Sequence, residues 1–220
     1  MCFSATASFT AAAVVGSIGA VTLWKAVGRR DRALLPIAAF PALFAIQQGV
    51  EGLLWLDLAR SAPSACRPFL VHGFIGYAEV FWPTFAPLAA LLIEPERLRR
   101  RLILVCLAIG VALSTYLLLK MAGNPYAASV GDGHIAYRNG ATYPRRIEVP
   151  YVVATTLSLL LSSHRMVQIM ATIILAGFAV AYVSFHASYI SVWCFFAAAA
   201  SVVVYLFVKR ASEPEHGRIR

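Results

Sequence analysis

Charge is scarce in this chain. Asp, Glu, Lys and Arg together make up 13% of its 220 residues, where a soluble domain carries about 25%. With 60% hydrophobic residues and a mean hydropathy of +0.73, that scarcity excludes an ordinary soluble domain and points to a polytopic membrane protein. Lysine is nearly missing. Lys25, Lys120 and Lys209 all stand at the ends of apolar runs, which excludes a retinal protein, whose chromophore needs a lysine inside a late helix. The four cysteines, Cys2, Cys66, Cys106 and Cys194, form no CxxC, so a zinc knuckle, a thioredoxin-like motif and a CxxCH haem attachment are excluded. No basic residue precedes the first apolar run, the reverse of a cleavable signal peptide.

The charge that is present is net +9, but it lies in short segments between apolar runs rather than in one patch. That placement excludes nucleic acid and makes the lipid bilayer the partner. The apolar runs cover about 9–27, 33–58, 69–93, 102–120, 147–161, 166–186 and 188–208. They predict an all-α, polytopic membrane helix bundle of about seven transmembrane helices. Residues 1–208 form one transmembrane helical domain and 209–220 a polar cytoplasmic tail. With the N-terminus outside and the C-terminus cytoplasmic, thirteen of the nineteen Lys and Arg fall on the inner side, as the positive-inside rule requires. Ser8, Ala12, Gly16 and Ala20 recur every four residues and predict a close helix contact. Pro83 and Pro87 predict a kink in the third span. The one long connection, 121–146, predicts an external loop that acts as a lid, with two short strands about an Asn139-Gly140 turn.

Within the second run stands Gln47-Gln48-Gly49-Val50-Glu51. Ionisable groups at such depth face a bundle interior or a wet cavity. Gln47 and Glu51 are four apart, and His72 and Glu79 seven apart, so each pair shares a helix face. Glu51 and Glu79 fall in the outer leaflet, at one level, below His72 and below His186 at the end of the sixth span. This convergence predicts an outward-facing polar site. Glu51 and Glu79 are its candidate catalytic carboxylates, and His72, His186, Glu51 and Glu79 its candidate metal ligands. Gln47, Gln48 and Tyr182 support them from behind. Imidazole and carboxylate suit a divalent metal such as zinc or iron. Without metal, a desolvated Glu beside an imidazole does acid–base work. A haem b held axially by His72 and His186 is a further alternative. Cys2 adds an external thiol at the cavity mouth, whose alternative is a disulfide to Cys66.

The opening Met1-Cys2-Phe3-Ser4-Ala5 with Ser8-Phe9, followed by Phe44-Ala45-Ile46-Gln47-Gln48 and Glu51-Gly52-Leu53-Leu54-Trp55, resembles an uncharacterised family of small prokaryotic multipass membrane proteins. The resemblance extends over most of the chain and implies a prokaryotic cytoplasmic membrane, but it brings no established activity. The pattern is also similar to the seven-helix alkaline ceramidase and progestin-receptor-like hydrolases, which implies zinc held by histidines near the outer helix ends. Ile190 stands where that pattern has a second histidine, four residues after His186.

Three function classes follow. The first is a membrane-embedded enzyme, metal-dependent or acid–base, acting on a lipid or a small apolar molecule. The second is a small proton-coupled transporter using Glu51 and Glu79. The third is a sensor or assembly protein with a purely structural polar core.

Overall fold

Helix α1 (Ala5–Gly28) begins at Ser4, whose hydroxyl accepts a hydrogen bond from the Ala7 amide at 3.2 Å, a standard N-cap. It packs against α2 (Arg32–Leu58), and glycine sets how closely. A Cβ on Gly19 would lie 2.6 Å from the Ala42 amide nitrogen, and one on Gly16 3.4 Å from Ala45 Cβ. The buried stripe of α1 is Ser8, Val15, Gly19, Thr22 and Ala26, not the expected row of every fourth residue. Four residues overshoot one turn by about 40°, so such a row winds off the contact face.

The computed structural model describes residues 4–29, 31–131, 133–144, 146–184, 192–194, 196, 198 and 200–212. After α2 come α3 (Arg67–Ile93), α4 (Arg97–Gly123), a hairpin of β1 (Ala127–Gly131) and β2 (His134–Arg138), α5 (Glu148–Leu160), α6 (Arg165–Ser184) and α7 (Ser201–Ser212). Five of these, α1, α2, α3, α4 and α6, are long and apolar enough to cross a membrane. Helix α5 is apolar but shorter. At ~1.5 Å per residue it extends about 20 Å, against a hydrocarbon core of ~30 Å. The described architecture is thus a membrane-type helix bundle with one two-stranded antiparallel sheet.

The helix ends are tied differently on the two sides of the bundle. At the 58–67 turn, Arg67 pairs with the Asp57 carboxylate through Nε and donates from its terminal nitrogen to the Asp57 carbonyl at 2.7 Å. At the opposite end Glu94 is buried and accepts from the Ser163 amide at 2.7 Å and the Glu96 amide at 3.1 Å. There His164 Nε2 meets the Ile93 carbonyl at 3.0 Å, and Arg99 donates to the Leu161 carbonyl at 3.1 Å. Lys25, Arg97, Arg100, Arg165, Lys209 and Arg210 all belong to this second end.

The hairpin differs from the one the sequence predicts. Strand pairing runs Ala127↔Arg138 to Gly131↔His134, so the chain reverses between Gly131 and His134, with Gly133 at φ +74°. The sequence there is Asp132-Gly133. Asp-Gly and Asn-Gly are equivalent local turn signals; packing decides between them. In the observed register His134, Ile135 and Ala136 are buried. Ile135 packs with Leu54 of α2 and Val71 of α3, and Tyr137 stacks on Phe74 with ring centroids 4.8 Å apart. Asn139 is engaged elsewhere, its Oδ1 accepting from the Ala141 amide at 3.3 Å.

Candidate functional site

Proline chemistry shapes the wall of the site. In α3 the segment Gly76–Phe81 is a π turn, in which the Trp82 amide reaches back five residues to the Tyr77 carbonyl. The Ala78 carbonyl is thereby bypassed. Its donor in the widened register would be residue 83, and Pro83 has no N–H. Tyr151 of α5 fills the vacancy: its hydroxyl donates to the Ala78 carbonyl. Pro87 has a parallel effect one turn on, leaving the Pro83 carbonyl without an intrahelical donor. That carbonyl leans on α4, where a Cβ on Gly110 would overlap its oxygen. Helix α5 contains its own π turn, Val153–Leu157, where Thr155 Oγ1 donates to the Tyr151 carbonyl at 2.8 Å. The expected kink in α3 is therefore a π turn followed by proline, an arrangement found often at functional sites.

Glu79 sits in that π turn and lines a cavity of about 590 Å³ between α3, α4, α5, α6 and the loop that follows the hairpin. From the loop side a chain of hydrogen bonds reaches it. Asn139 Nδ2 donates to the Tyr143 hydroxyl at 2.6 Å. The Tyr143 and Tyr126 hydroxyls lie 2.9 Å apart, and Tyr126 donates to Glu79 Oε2 at 2.8 Å. The two ends fix the direction. Tyr143 already accepts from Asn139 and Tyr126 already donates to Glu79, so the Tyr143 proton points at Tyr126. Burial, then the adjacent Glu79 carboxylate and the Tyr143 hydroxyl, push the Tyr126 phenol above its ordinary value. Tyr126 therefore stays a donor throughout the neutral range.

A second polar group meets the floor of the same cavity. Gln47, fully buried, accepts from Trp82 Nε1 at 2.9 Å and donates to Cys194 Sγ at 3.1 Å. Glu51, also fully buried, lies within electrostatic reach of Cys194, and Cys194 lines the cavity. Phe44 stacks on Trp82 at 4.2 Å, which fixes the indole that holds Gln47.

Residues 1–219 match the family model described as a family of unknown function, DUF6629. The chain belongs to DUF6629. No curated protein and no solved structure matches it. The site of this DUF6629 member therefore stands on its own geometry.

That geometry gathers some of the residues expected from the sequence and separates others. Glu79 opens on the cavity, and Gln47 and Glu51 border it through Cys194. His72 is drawn away from them. Its Nδ1 meets the Pro68 carbonyl at 2.7 Å, and its Nε2 accepts from the Tyr126 amide at 3.4 Å, so it holds the start of the hairpin to α3. Both ring nitrogens thus have backbone partners in this structure. Among the described residues no three His, Cys, Asp or Glu side chains converge on a metal position; the expected set of His72, His186, Glu51 and Glu79 reaches beyond those residues. His186 and Cys2 lie outside the described residues. Gln48 is buried, with neither amide atom paired among the described residues. Tyr182 is 36% exposed beside Phe178, at 5.5 Å between ring centroids.

Sequence reasoning misses Tyr126, Tyr143, Asn139 and Cys194 as site residues. The tyrosines lie in a loop identified as a lid, but nothing in their spacing marks Tyr126 and Tyr143 as partners across seventeen residues. Tyr151 carries a local clue, because two prolines in α3 call for an outside donor.

Proposed function

We propose that this DUF6629 member is a membrane-embedded enzyme that moves a proton on a small lipid-soluble molecule, with Glu79 as the base. It lies in a prokaryotic cytoplasmic membrane with about seven spans, its N-terminus outside and its C-terminus cytoplasmic. The cavity then opens outward beneath the hairpin loop. The observation that carries this reading is the one-way hydrogen-bond chain from Tyr143 through Tyr126 to Glu79 on the wall of a cavity between apolar helices.

The chain suits proton abstraction from carbon beside an electron-withdrawing group. The Tyr143 oxygen takes the proton from the bound molecule while its own proton passes to Tyr126 and that of Tyr126 passes to Glu79. Both phenols end neutral, Glu79 ends protonated, and the negative charge is left on the substrate. Reversal returns the proton, at the same carbon or at a neighbouring one. No redox partner is consumed. General base catalysis of this kind contributes roughly 10²–10⁴-fold.

The test works on a mixture, without a chosen substrate. Purified protein in nanodiscs is incubated in ²H₂O with a total lipid extract of its source membrane, and carbon-bound deuterium is read by mass spectrometry. The wild type labels a discrete molecular species, Glu79→Gln labels none, and Tyr126→Phe labels it roughly 10²-fold more slowly or less. No labelled species, or equal labelling by Glu79→Gln, overturns the reading.

A further inference from the structure

The cavity is chemically two-ended. Its depth is walled by Leu117, Phe178, Trp193 and Cys194. There it adjoins a second void of about 40 Å³, which shares Tyr151, Trp193 and Cys194 and continues between Phe44, Trp82 and Leu159. Its mouth is lined by Arg138 and Arg146, both exposed. Among the described residues the ion pairs are Arg67 with Asp57 and Arg99 with Glu96, so neither mouth arginine is neutralised by a carboxylate there. Among those same residues Glu148 is the one acidic side chain beside them at the mouth. Glu79, deeper in, is occupied by Tyr126.

Local backbone geometry sets where the two arginines stand. Arg138 closes β2, paired with Ala127. Arg146 precedes α5 in a left-handed conformation, φ +62°. Two guanidiniums against one carboxylate leave the mouth net positive, and a planar guanidinium fork matches phosphate and carboxylate oxygens in pairs.

We propose that the cavity binds an amphiphile with an anionic head, a phosphate or carboxylate on an apolar chain. The head sits between Arg138 and Arg146 and the chain runs down towards Phe178 and Trp193. This names the ligand class for the cavity used in the proton-transfer reading, but it does not depend on Glu79 chemistry.

Equilibrium dialysis of radiolabelled decyl phosphate against the full chain in phosphatidylcholine nanodiscs, with empty nanodiscs subtracted, tests it. Decyltrimethylammonium and inorganic phosphate serve as the other two probes. Wild type binds decyl phosphate saturably, and the Arg138→Gln, Arg146→Gln double variant binds at least about tenfold more weakly, the loss expected for charge-assisted hydrogen bonds. The readout is binding and involves no proton transfer, so a failed deuterium experiment leaves this result standing. Equal binding by the double variant overturns the proposal, as does equal affinity for the cationic amphiphile. Inorganic phosphate bound as tightly as decyl phosphate also overturns it, because the mouth would then be an anion site without a chain-binding depth.

Discussion

The Tyr126 hydroxyl lies 2.8 Å from Glu79 Oε2, and this bond joins the loop end of the bundle to the π turn of α3. Tyr126 is doubly anchored, since its backbone amide also reaches His72 Nε2. The pairing has a pH signature. The Tyr126 phenol is raised by burial and then by Glu79, so the folded state holds its proton more tightly than the unfolded chain does. The resulting stability is complete below the unfolded tyrosine value of about 10 and falls away as pH rises past it. Thermal midpoints of wild type and Tyr126→Phe in detergent converge above that pH. Parallel curves would show that the phenol is not coupled to folding.

Tyr151→Phe removes the outside donor described for the Ala78 carbonyl. A buried carbonyl left unpaired costs about 1–3 kcal/mol. The midpoint falls accordingly, and amide exchange rises across Gly76–Phe81. An unchanged midpoint with unchanged exchange would mean that water replaces the hydroxyl without cost.

Gly110→Ala places a Cβ on top of the Pro83 carbonyl oxygen. Overpacking ordinarily costs about 1–3 kcal/mol, and here the obstruction is backbone, so the loss reaches or exceeds the top of that range. Gly49→Ala is the matched comparison. A Cβ there meets nothing within 4 Å, and alanine favours a helix by up to about 1 kcal/mol. Its midpoint holds or rises. Equal midpoints for the two variants would refute the close approach of α3 to α4.

At the opposite end of the bundle, burial raises the Glu94 carboxyl, but amide and hydroxyl donors led by Ser163 outweigh it and leave the value below the ordinary carboxylate range. A depressed carboxyl stabilises the fold above its unfolded value and loses that stability as pH falls. Glu94→Gln is therefore less stable than wild type at neutral pH, and the two converge as pH drops below about 4. A gap that persists in acid would assign the loss to side-chain shape instead of charge.

The limits of the sequence are clearest residue by residue. Glu79 is legible because a carboxylate inside an apolar run is costly wherever that run lies in the bilayer. Gln47 and Glu51 are legible for the same reason. His72 reads as a metal ligand from its position near a helix end, which says nothing about the Pro68 carbonyl and the Tyr126 amide that its two nitrogens meet. The Asn139-Gly140 turn misleads because an equally good Asp-Gly signal stands seven residues earlier, and only the burial of Ile135 against Leu54 and Val71 separates the two.

The sequence by itself determined the five long apolar helices, most of their ends to within a few residues, and the carboxylates Glu51 and Glu79 that two of them carry. Each of those follows from local hydrophobicity and from the cost of a charge out of water. Only the tertiary structure decided which groups meet. The chain from Asn139 through Tyr143 and Tyr126 to Glu79 joins residues as many as sixty-four positions apart, and the Tyr151 bond to Ala78 spans seventy-three. Hydrogen bonds act over about 3 Å, so such partnerships are fixed by how the helices and the hairpin pack, and no pattern along the chain encodes them.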